Sequence, residues 1–489
     1  MNVALVVLDT LRKDAFDDHF DWLPGVRFER AFSTSHWTVP AHASLFAGRY
    51  ASELGVYAGA QLLDCQEPVL AEQFQAGGYT TRAFSANVNV SRPFDFHRGF
   101  DQFEGSWRLR ALAEDSFDWD RFIVETEDVG PQRYLYALKK VLADDCATVP
   151  SLKRGALLKL RDLGWGRATR DDGAAEALEF VRDTAFGDDE FLFVNLMEAH
   201  TPYDPPEEYQ TVDPPELNGL RATLDEPGAD PERIRQAYDD SVRYLSDVYR
   251  DIFAELSREF DYVVTLADHG EALGERGDWE HLCGLAPEIT QVPLCISGEG
   301  LDGERREAVS LLDVHRTVLD LADLEGESRG RNLLGDDLED TDESDGERPP
   351  DTSDSDGERP PDTSDSDGER PPDTSDSDGE RPPDTSDSDG ERPPDTDWLV
   401  GYHGLTDRHR TALARDGFDP SPLDRELHAL ASRDYYGWET PDGFREVGET
   451  EDPRDRLDAL LDDLDRTETE NDVAVSEAVE AQLRDLGYA

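Results

Sequence analysis

The sequence predicts an α/β fold: a mostly parallel central sheet with helices on both faces, followed by a small C-terminal α+β subdomain. Three observations carry this expectation. Apolar runs with little polar alternation, "VALVVLD", "EFLFVNLMEAH" and "DYVVTLADHG", suit strands buried on both faces. Helical patterns lie between them, the longest being the amphipathic "DPERIRQAYDDSVRYLSDVYRDIFAELSREF", which leads straight into the strand that ends at Asp268. A polar, repetitive segment then separates this alternation from a last stretch of different character.

The first strand starts at residue 2 with "NVALVVLDTL" and stops at Asp9; it shows no basic leader, long apolar core or small-residue cleavage site, so no signal peptide is expected. Residues 36–50, "HWTVPAHASLFAGRY", read as a loop entering a helix, with Thr38 at its start and Pro40 two positions on, an ordinary N-cap arrangement. The stretch from about 107 to 189 has mostly helical patterns ("RYLYALKKVLADD", "GAAEALEFVRDTAF") and is expected to be an insertion over the sheet of a catalytic domain spanning residues 1–338. From Glu339 to Asp397 there is no aliphatic or aromatic residue, and "SDGERPPDT" recurs at Ser344, Ser355, Ser366, Ser377 and Ser388. Solenoid repeats need apolar positions to stack and these have none, so residues 339–397 are expected to be an extended, disordered acidic linker. Residues 398–489 contain a hairpin pattern turning at Pro441, Asp442 and Gly443, then two acidic helical patterns.

The formal net charge is −64, and the positive charge is almost all Arg, with lysine only at positions 13, 139, 140, 153 and 159. Such a surface repels nucleic acid and anionic membranes, which excludes both as partners. The repeats carry only a minority of the excess, so the acidity belongs to the whole chain and points to a protein kept soluble in high salt. No stretch approaches the roughly 20 apolar residues of a membrane span, and the expected location is cytoplasmic. Cys65, Cys146, Cys283 and Cys295 show no paired spacing, which supports neither a zinc knuckle nor a disulfide framework. Nothing in the sequence sets an oligomeric state.

Ligands of open α/β sheets bind outside the carboxyl ends of the strands, where Asp9 and Asp268 both stand. Asp268 is followed at once by His269 in "ADHGE", an oxygen and a nitrogen ligand side by side for a divalent cation. A lone strand-end Asp is most often a helix cap; two of them with an adjacent His make a metal site the stronger reading. A hydroxyl at a helix start sits in a field that favours anions, so Thr38 suits a nucleophile facing a phosphate or sulfate as well as a cap. His200, in the proline-stiffened loop "MEAHTPYDPP", and His281, in "WEHLCGLAPEITQVPL", complete the candidates. With His42 and His269 they make four of the eleven histidines, all beside strand ends or the Thr38 helix.

From residue 2 to about residue 335, the ordered set "VVLDTLRKD", "WTVPAHASLFAGRY", "GYTTRAFSAN", "DFHRGFDQFEG", "MEAHTPYDPP", "ADHGE", "HLCGLAPEITQVPL" and "LLDVHRTVLDLADL" resembles the sulfatase family of the alkaline phosphatase superfamily. The resemblance implies a divalent metal held by Asp9, Asp268 and His269 beside a nucleophile at Thr38, with His200 and His281 facing the ester oxygens; His42 and Asn87, which depart from the family pattern, are substrate-binding candidates, Asn87 holding an ester oxygen. The departures matter as much. The best-known sulfatases carry Cys or Ser at the nucleophile position, matured to formylglycine, then a proline and an arginine; here stand Thr38, Pro40 and His42. Threonine cannot become the aldehyde. The family's usual active-site lysines are missing, with Ser85, Ala86 and Asn87 after "GYTT" and His281 later, and Thr10 replaces the second Asp of the opening pair. Threonine nucleophiles occur in related branches of the superfamily, which favours a phosphate ester over a sulfate ester, hydrolysed or transferred through a covalent Thr38 intermediate. The substrate would be a small-molecule or glycan ester. Oxygen ligands with one His fit calcium, magnesium or manganese, whereas two zinc ions would need His200, Asp204 and His281 as further ligands. The rival reading is a non-catalytic protein of the same fold that binds a metal or an acidic glycan.

Overall fold

The computed structural model describes residues 1–106, 109, 171–215, 217, 227–335, 396–415 and 417–467. Most of the expected insertion, nearly all of the repeat segment and the second acidic helical pattern lie outside the described residues. The described residues belong to one compact unit.

The central sheet contains β1 (Val3–Leu8), β2 (Val26–Phe32), β3 (Thr80–Ser85), β4 (Gln102–Gly105), β5 (Glu190–Leu196), β6 (Tyr262–Leu266), β9 (Gln291–Val292), β10 (Leu294–Gly298) and β11 (Gly303–Ser310). The two-residue strands β7 (Ala272–Leu273) and β8 (Trp279–Glu280) pair with each other beside it. The strand order is β11-β2-β10-β6-β1-β5-β3-β4, with β9 against β2. The run β6-β1-β5-β3-β4 is parallel throughout, and β10 is antiparallel to both its neighbours, so the sheet is mixed but mostly parallel. Every residue of β1 is fully buried. That explains its unbroken apolar sequence, since a strand covered on both faces has no solvent side for polar residues.

The helices are α1 (Lys13–His19), α2 (Thr38–Ala47), α3 (Ala51–Leu54), α4 (Leu70–Ala76), α5 (Ala174–Asp183), α6 (Pro231–Glu259), α7 (Pro287–Thr290) and α8 (Leu311–Leu321). One packed group contains α2, α4 and α8, another α1, α5 and α6. The 29-residue α6 opens on Asp230, whose side chain accepts from the Glu232 N–H, with Pro231 in the first turn. Its buried stripe, including Ile234, Ala237, Tyr238, Val242, Leu245, Tyr249, Ile252 and Leu256, has the spacing of one helix face.

The C-terminal region is a four-stranded antiparallel sheet, β12 (Trp398–His403), β13 (Glu426–Ala431), β14 (Tyr435–Thr440) and β15 (Gly443–Gly448), with helices α9 (Asp407–Arg415) and α10 (Pro453–Asp462). The β14–β15 hairpin turns at Pro441 and Asp442, where Thr440 pairs with Gly443. This sheet is joined to the rest of its unit by specific contacts. Tyr436 stacks on Phe32 with ring centroids 5.3 Å apart, and the Trp398 indole donates to the Ala308 carbonyl at 3.0 Å. Gly401 N–H donates to the Thr34 carbonyl at 3.0 Å, and the Ser35 hydroxyl donates to the Gly401 carbonyl at 3.0 Å. The segment just before Thr38 is therefore held by β12.

Candidate active site

Register brings the site together. Val7 of β1 pairs with Leu266 of β6, so Asp9 and Asp268, each two residues further on, leave adjacent parallel strands at the same level. On the other side Val7 pairs with Asn195 of β5, and Asn195 with Ser85 of β3, which puts Asn87 at the same edge. Thr38 arrives from a different direction, at the start of α2, whose ten residues are all buried.

Asp9, Asp268 and His269 are fully buried, and their ligand atoms lie within 4.8 Å of one another, the arrangement of a metal site. His269 Nδ1–H donates to the Gly270 carbonyl at 3.0 Å, which leaves the Nε2 lone pair for a ligand. That Nε2 is 3.4 Å from Asp268 Oδ2 and 4.0 Å from Asp9 Oδ1. Both of those carboxylate oxygens are buried without a hydrogen-bond partner. Burial, reinforced by the Asp268 charge, pushes Asp9 up to about 8, and burial pushes Asp268 up to about 7. Two orphaned, repelling carboxylates around an imidazole lone pair are what a divalent cation satisfies, so the residues fit one. Among the described residues this is the one such group; His200, Asp204 and His281 form no second.

Thr38 is not the N-cap. Trp37 holds that position, no side chain caps the helix, and Thr38 is its first residue. The Thr38 hydroxyl points instead at the site, 3.3 Å from His269 Nε2 and 3.5 Å from Asn87 Nδ2. Asn87 lies deeper than a substrate contact would suggest: its amide donates to Asp9 Oδ2 at 2.6 Å and its carbonyl oxygen accepts from the Asn89 N–H at 2.8 Å. His42 departs further from expectation. It is fully buried, with Nδ1–H on the Thr38 carbonyl at 2.9 Å, Nε2 accepting from the Asn195 amide at 3.3 Å, and Phe46, Phe96 and Phe193 around the ring. Both nitrogens are engaged and burial pushes its pKa down to about 3, so His42 is a neutral support beneath Thr38 and Asp268 rather than a group that binds the ester.

His200 and His281 do come together. Their rings are 5.2 Å apart, and His281 lies 4.5 Å from the His269 ring. His200 Nδ1–H donates to the Thr201 carbonyl at 2.6 Å, and His281 Nδ1 is 3.0 Å from Glu271 Oε1.

The sulfatase family model matches residues 2–324. The chain belongs to the sulfatase family. That places it among ester hydrolases. Choline-sulfatase of Rhizobium meliloti (strain 1021) is 25% identical over 383 residues, covering 66% of this chain and 67% of that protein. A shorter match, 32% identical over 80 residues, 15% of this chain and 20% of that protein, links it to the low-salt glycan biosynthesis sulfotransferase Agl7 of Haloferax volcanii. In fold it is similar to the phosphonate monoester hydrolase of Silicibacter pomeroyi, with a TM-score of 0.55 at 16% identity, covering 94% of this chain and 93% of that one.

This sulfatase-family site also uses residues that sequence reasoning passed over. Asn195 is a polar residue inside the apolar run that follows Glu190 in a fully buried strand, a signal visible in "EFLFVNLMEAH". Glu271, the last residue of "ADHGE", is fully buried between His281 and the Tyr203 hydroxyl. His36 packs 4.5 Å from the Tyr402 ring and is held neutral by burial, with His269, His281, His403 and His409 around it.

Proposed function

We propose that the chain is a metal-dependent ester hydrolase that works through a covalent intermediate on Thr38, with a phosphate ester as the favoured substrate. The observation that carries this is the Thr38 hydroxyl, free of any capping role and 3.3 Å from the imidazole nitrogen shared with Asp9 and Asp268. Asp9, Asp268 and His269, with the Thr38 hydroxyl, would hold calcium, magnesium or manganese, chosen by hard oxygen ligands with one imidazole. A bound divalent cation lowers the hydroxyl pKa and neutralises the non-bridging ester oxygens.

Thr38 Oγ gives up its proton to water and forms the new bond to phosphorus, and the bond to the departing alcohol oxygen breaks. Protonated His281 or His200 gives that oxygen a proton and takes one back from the water that then cleaves the phosphothreonine. Asn87 fixes the Asp9 carboxylate, and His42 holds the first turn of α2 from below, so nucleophile and ligands keep their spacing. The preference for phosphorus rests on the residue itself, because threonine cannot mature to formylglycine. A sulfate ester attacked by the same hydroxyl is the alternative, and the local similarity to a sulfotransferase supports transfer to a second alcohol as a further outcome of the same intermediate. We further propose that residues 339–397 are a linker and 398–489 a subdomain that braces the nucleophile segment.

The test is mass spectrometry of enzyme quenched during turnover of chromogenic phosphate and sulfate esters with added divalent metal in high salt. A phosphate on the peptide containing Thr38 is expected. A sulfate there reverses the substrate preference, and no adduct with no turnover favours the non-catalytic reading.

A further inference from the structure

We infer that Tyr238 is a positioning residue for the metal site: from α6 its hydroxyl holds Thr10 in the left-handed conformation that turns a backbone donor onto Asp268 and leaves the other Asp268 oxygen for the ion. The inference rests on the metal reading of Asp9, Asp268 and His269 and deepens it with a residue from a different element.

β1 runs out into a tight turn. Leu11 N–H donates to the Leu8 carbonyl at 3.2 Å, with Asp9 and Thr10 between them, and Thr10 has a φ of 58°. When the third residue of a turn needs positive φ it is usually glycine or asparagine, because a β-branched side chain is strained there. Strain of this kind persists only where the surroundings over-determine the conformation. Three bonds do so here. The Thr10 hydroxyl donates to the Asp9 carbonyl at 2.7 Å, the Thr10 N–H to Asp268 Oδ1 at 3.4 Å, and the Tyr238 hydroxyl to the Thr10 carbonyl at 3.0 Å. The direction of the last bond is fixed, since the Arg12 N–H, which can only donate, reaches the same hydroxyl at 2.9 Å. One phenol therefore clamps the corner on both sides of Leu11.

The clamp is itself held in place. Tyr238 is buried, edge-on to the Tyr203 ring at 5.3 Å, and the Arg12 guanidinium is tied to Asp14, Glu275 and the Glu271 carbonyl. What the corner delivers is a division of labour within each carboxylate. Asn87 occupies Asp9 Oδ2 and leaves Oδ1, while the Thr10 N–H occupies Asp268 Oδ1 and leaves Oδ2. The two oxygens left over are the orphaned ones that face His269 Nε2. If Thr10 relaxes to negative φ, its N–H turns away and the Asp268 carboxylate can rotate off the ion.

The test is titration calorimetry of the full chain in high salt, stripped with a chelator, with manganese, calcium and magnesium in turn, and with circular dichroism to check each fold. Tyr238→Phe is expected to bind the ion roughly 10- to 100-fold more weakly. Tyr238→Phe with Thr10→Gly should recover most of that loss, because glycine takes this φ without strain. Tyr249→Phe removes another buried hydroxyl of α6, the one bonded to Thr265, and should leave the affinity unchanged. Equal affinity in Tyr238→Phe, a loss that Thr10→Gly does not relieve, or the same loss in Tyr249→Phe overturns the inference. So does a Tyr238→Phe chain that unfolds and stays unfolded with Thr10→Gly. One that regains its fold and its ion there supports it. An unaltered chain that takes none of the three ions defeats the metal reading and the inference with it, whereas binding indifferent to Tyr238 defeats the inference alone.

Discussion

His42 lies one helical turn below Thr38 and donates from Nδ1 to the Thr38 carbonyl at 2.9 Å, while Asn195 donates to its other nitrogen. The imidazole therefore braces Thr38 from the core side. His42→Ala should destabilise the fold by about 1–3 kcal/mol, the cost of leaving the buried Asn195 amide unpaired, before any cavity contribution. Denaturant unfolding measures this, and a change near zero would mean the bond carries no load.

Acid stability follows from the same burial. His42 and His315 are held neutral, each at about 3 against an ordinary 6.5. Between those values the unfolded chain binds more protons than the folded one, so their contribution is fully present above pH 6.5 and is lost as pH falls towards 3. Asp9, Asp268 and Glu271, raised by burial to about 8, 7 and 8, titrate in the opposite sense, so the readout is the difference between proteins in chemical unfolding: relative to the unaltered chain, His315→Gln should gain stability as pH falls from 7 to 4. An identical slope in that variant would remove His315 from the account.

Asp268→Asn combined with His269→Ala should abolish metal binding, since two of the four groups proposed to hold the ion are removed and only Asp9 and Thr38 remain. Plasma emission spectrometry of the purified protein reads this directly, and unchanged metal content would exclude the site.

Thr38→Ala separates support from chemistry. Because Trp37 is the N-cap and makes no side-chain cap, the loss of about 1 kcal/mol typical of a cap deletion should not appear. Turnover should nevertheless fall by orders of magnitude, with Thr38→Ser retaining a measurable part. A folded, metal-loaded Thr38→Ala enzyme with full activity would return the hydroxyl to a passive place in the helix.

Removing salt should unfold the chain, because the repulsion behind a net charge of −64 then acts over a screening length of about 30 Å at 0.01 M. Circular dichroism in dilute buffer checks it, a native spectrum being the contrary result.

The strand-end acids were legible because two apolar runs stop at Asp9 and Asp268, and parallel pairing does the rest. The adjacent Asp268 and His269 of "ADHGE" were legible as a pair for the same reason. What sequence could not show was depth. Nothing in "WTVPAHASLF" says that His42 turns inward while Thr38 turns to the site, since one helical turn separates them and both face protein. The cap reading of Thr38 failed by one residue, a boundary that depends on the φ and ψ of Trp37 rather than on composition. Glu271 escaped notice because its partner His281 is ten residues on, across the small β7–β8 hairpin, a distance no local pattern reports.

Arg331 reaches across the chain to the far side of the acidic repeats: it donates to the Thr396 hydroxyl at 2.8 Å and to the Ala308 carbonyl at 3.0 Å, and lies over the Trp398 ring. The two stems flanking the repeats are thus fastened to each other independently of whatever lies between. Closing a longer loop costs only about 0.6 kcal/mol per doubling. If the repeats are a linker, as proposed, a chain with fewer or more of the units should keep the Arg331–Thr396 clasp and the Thr38 site unchanged.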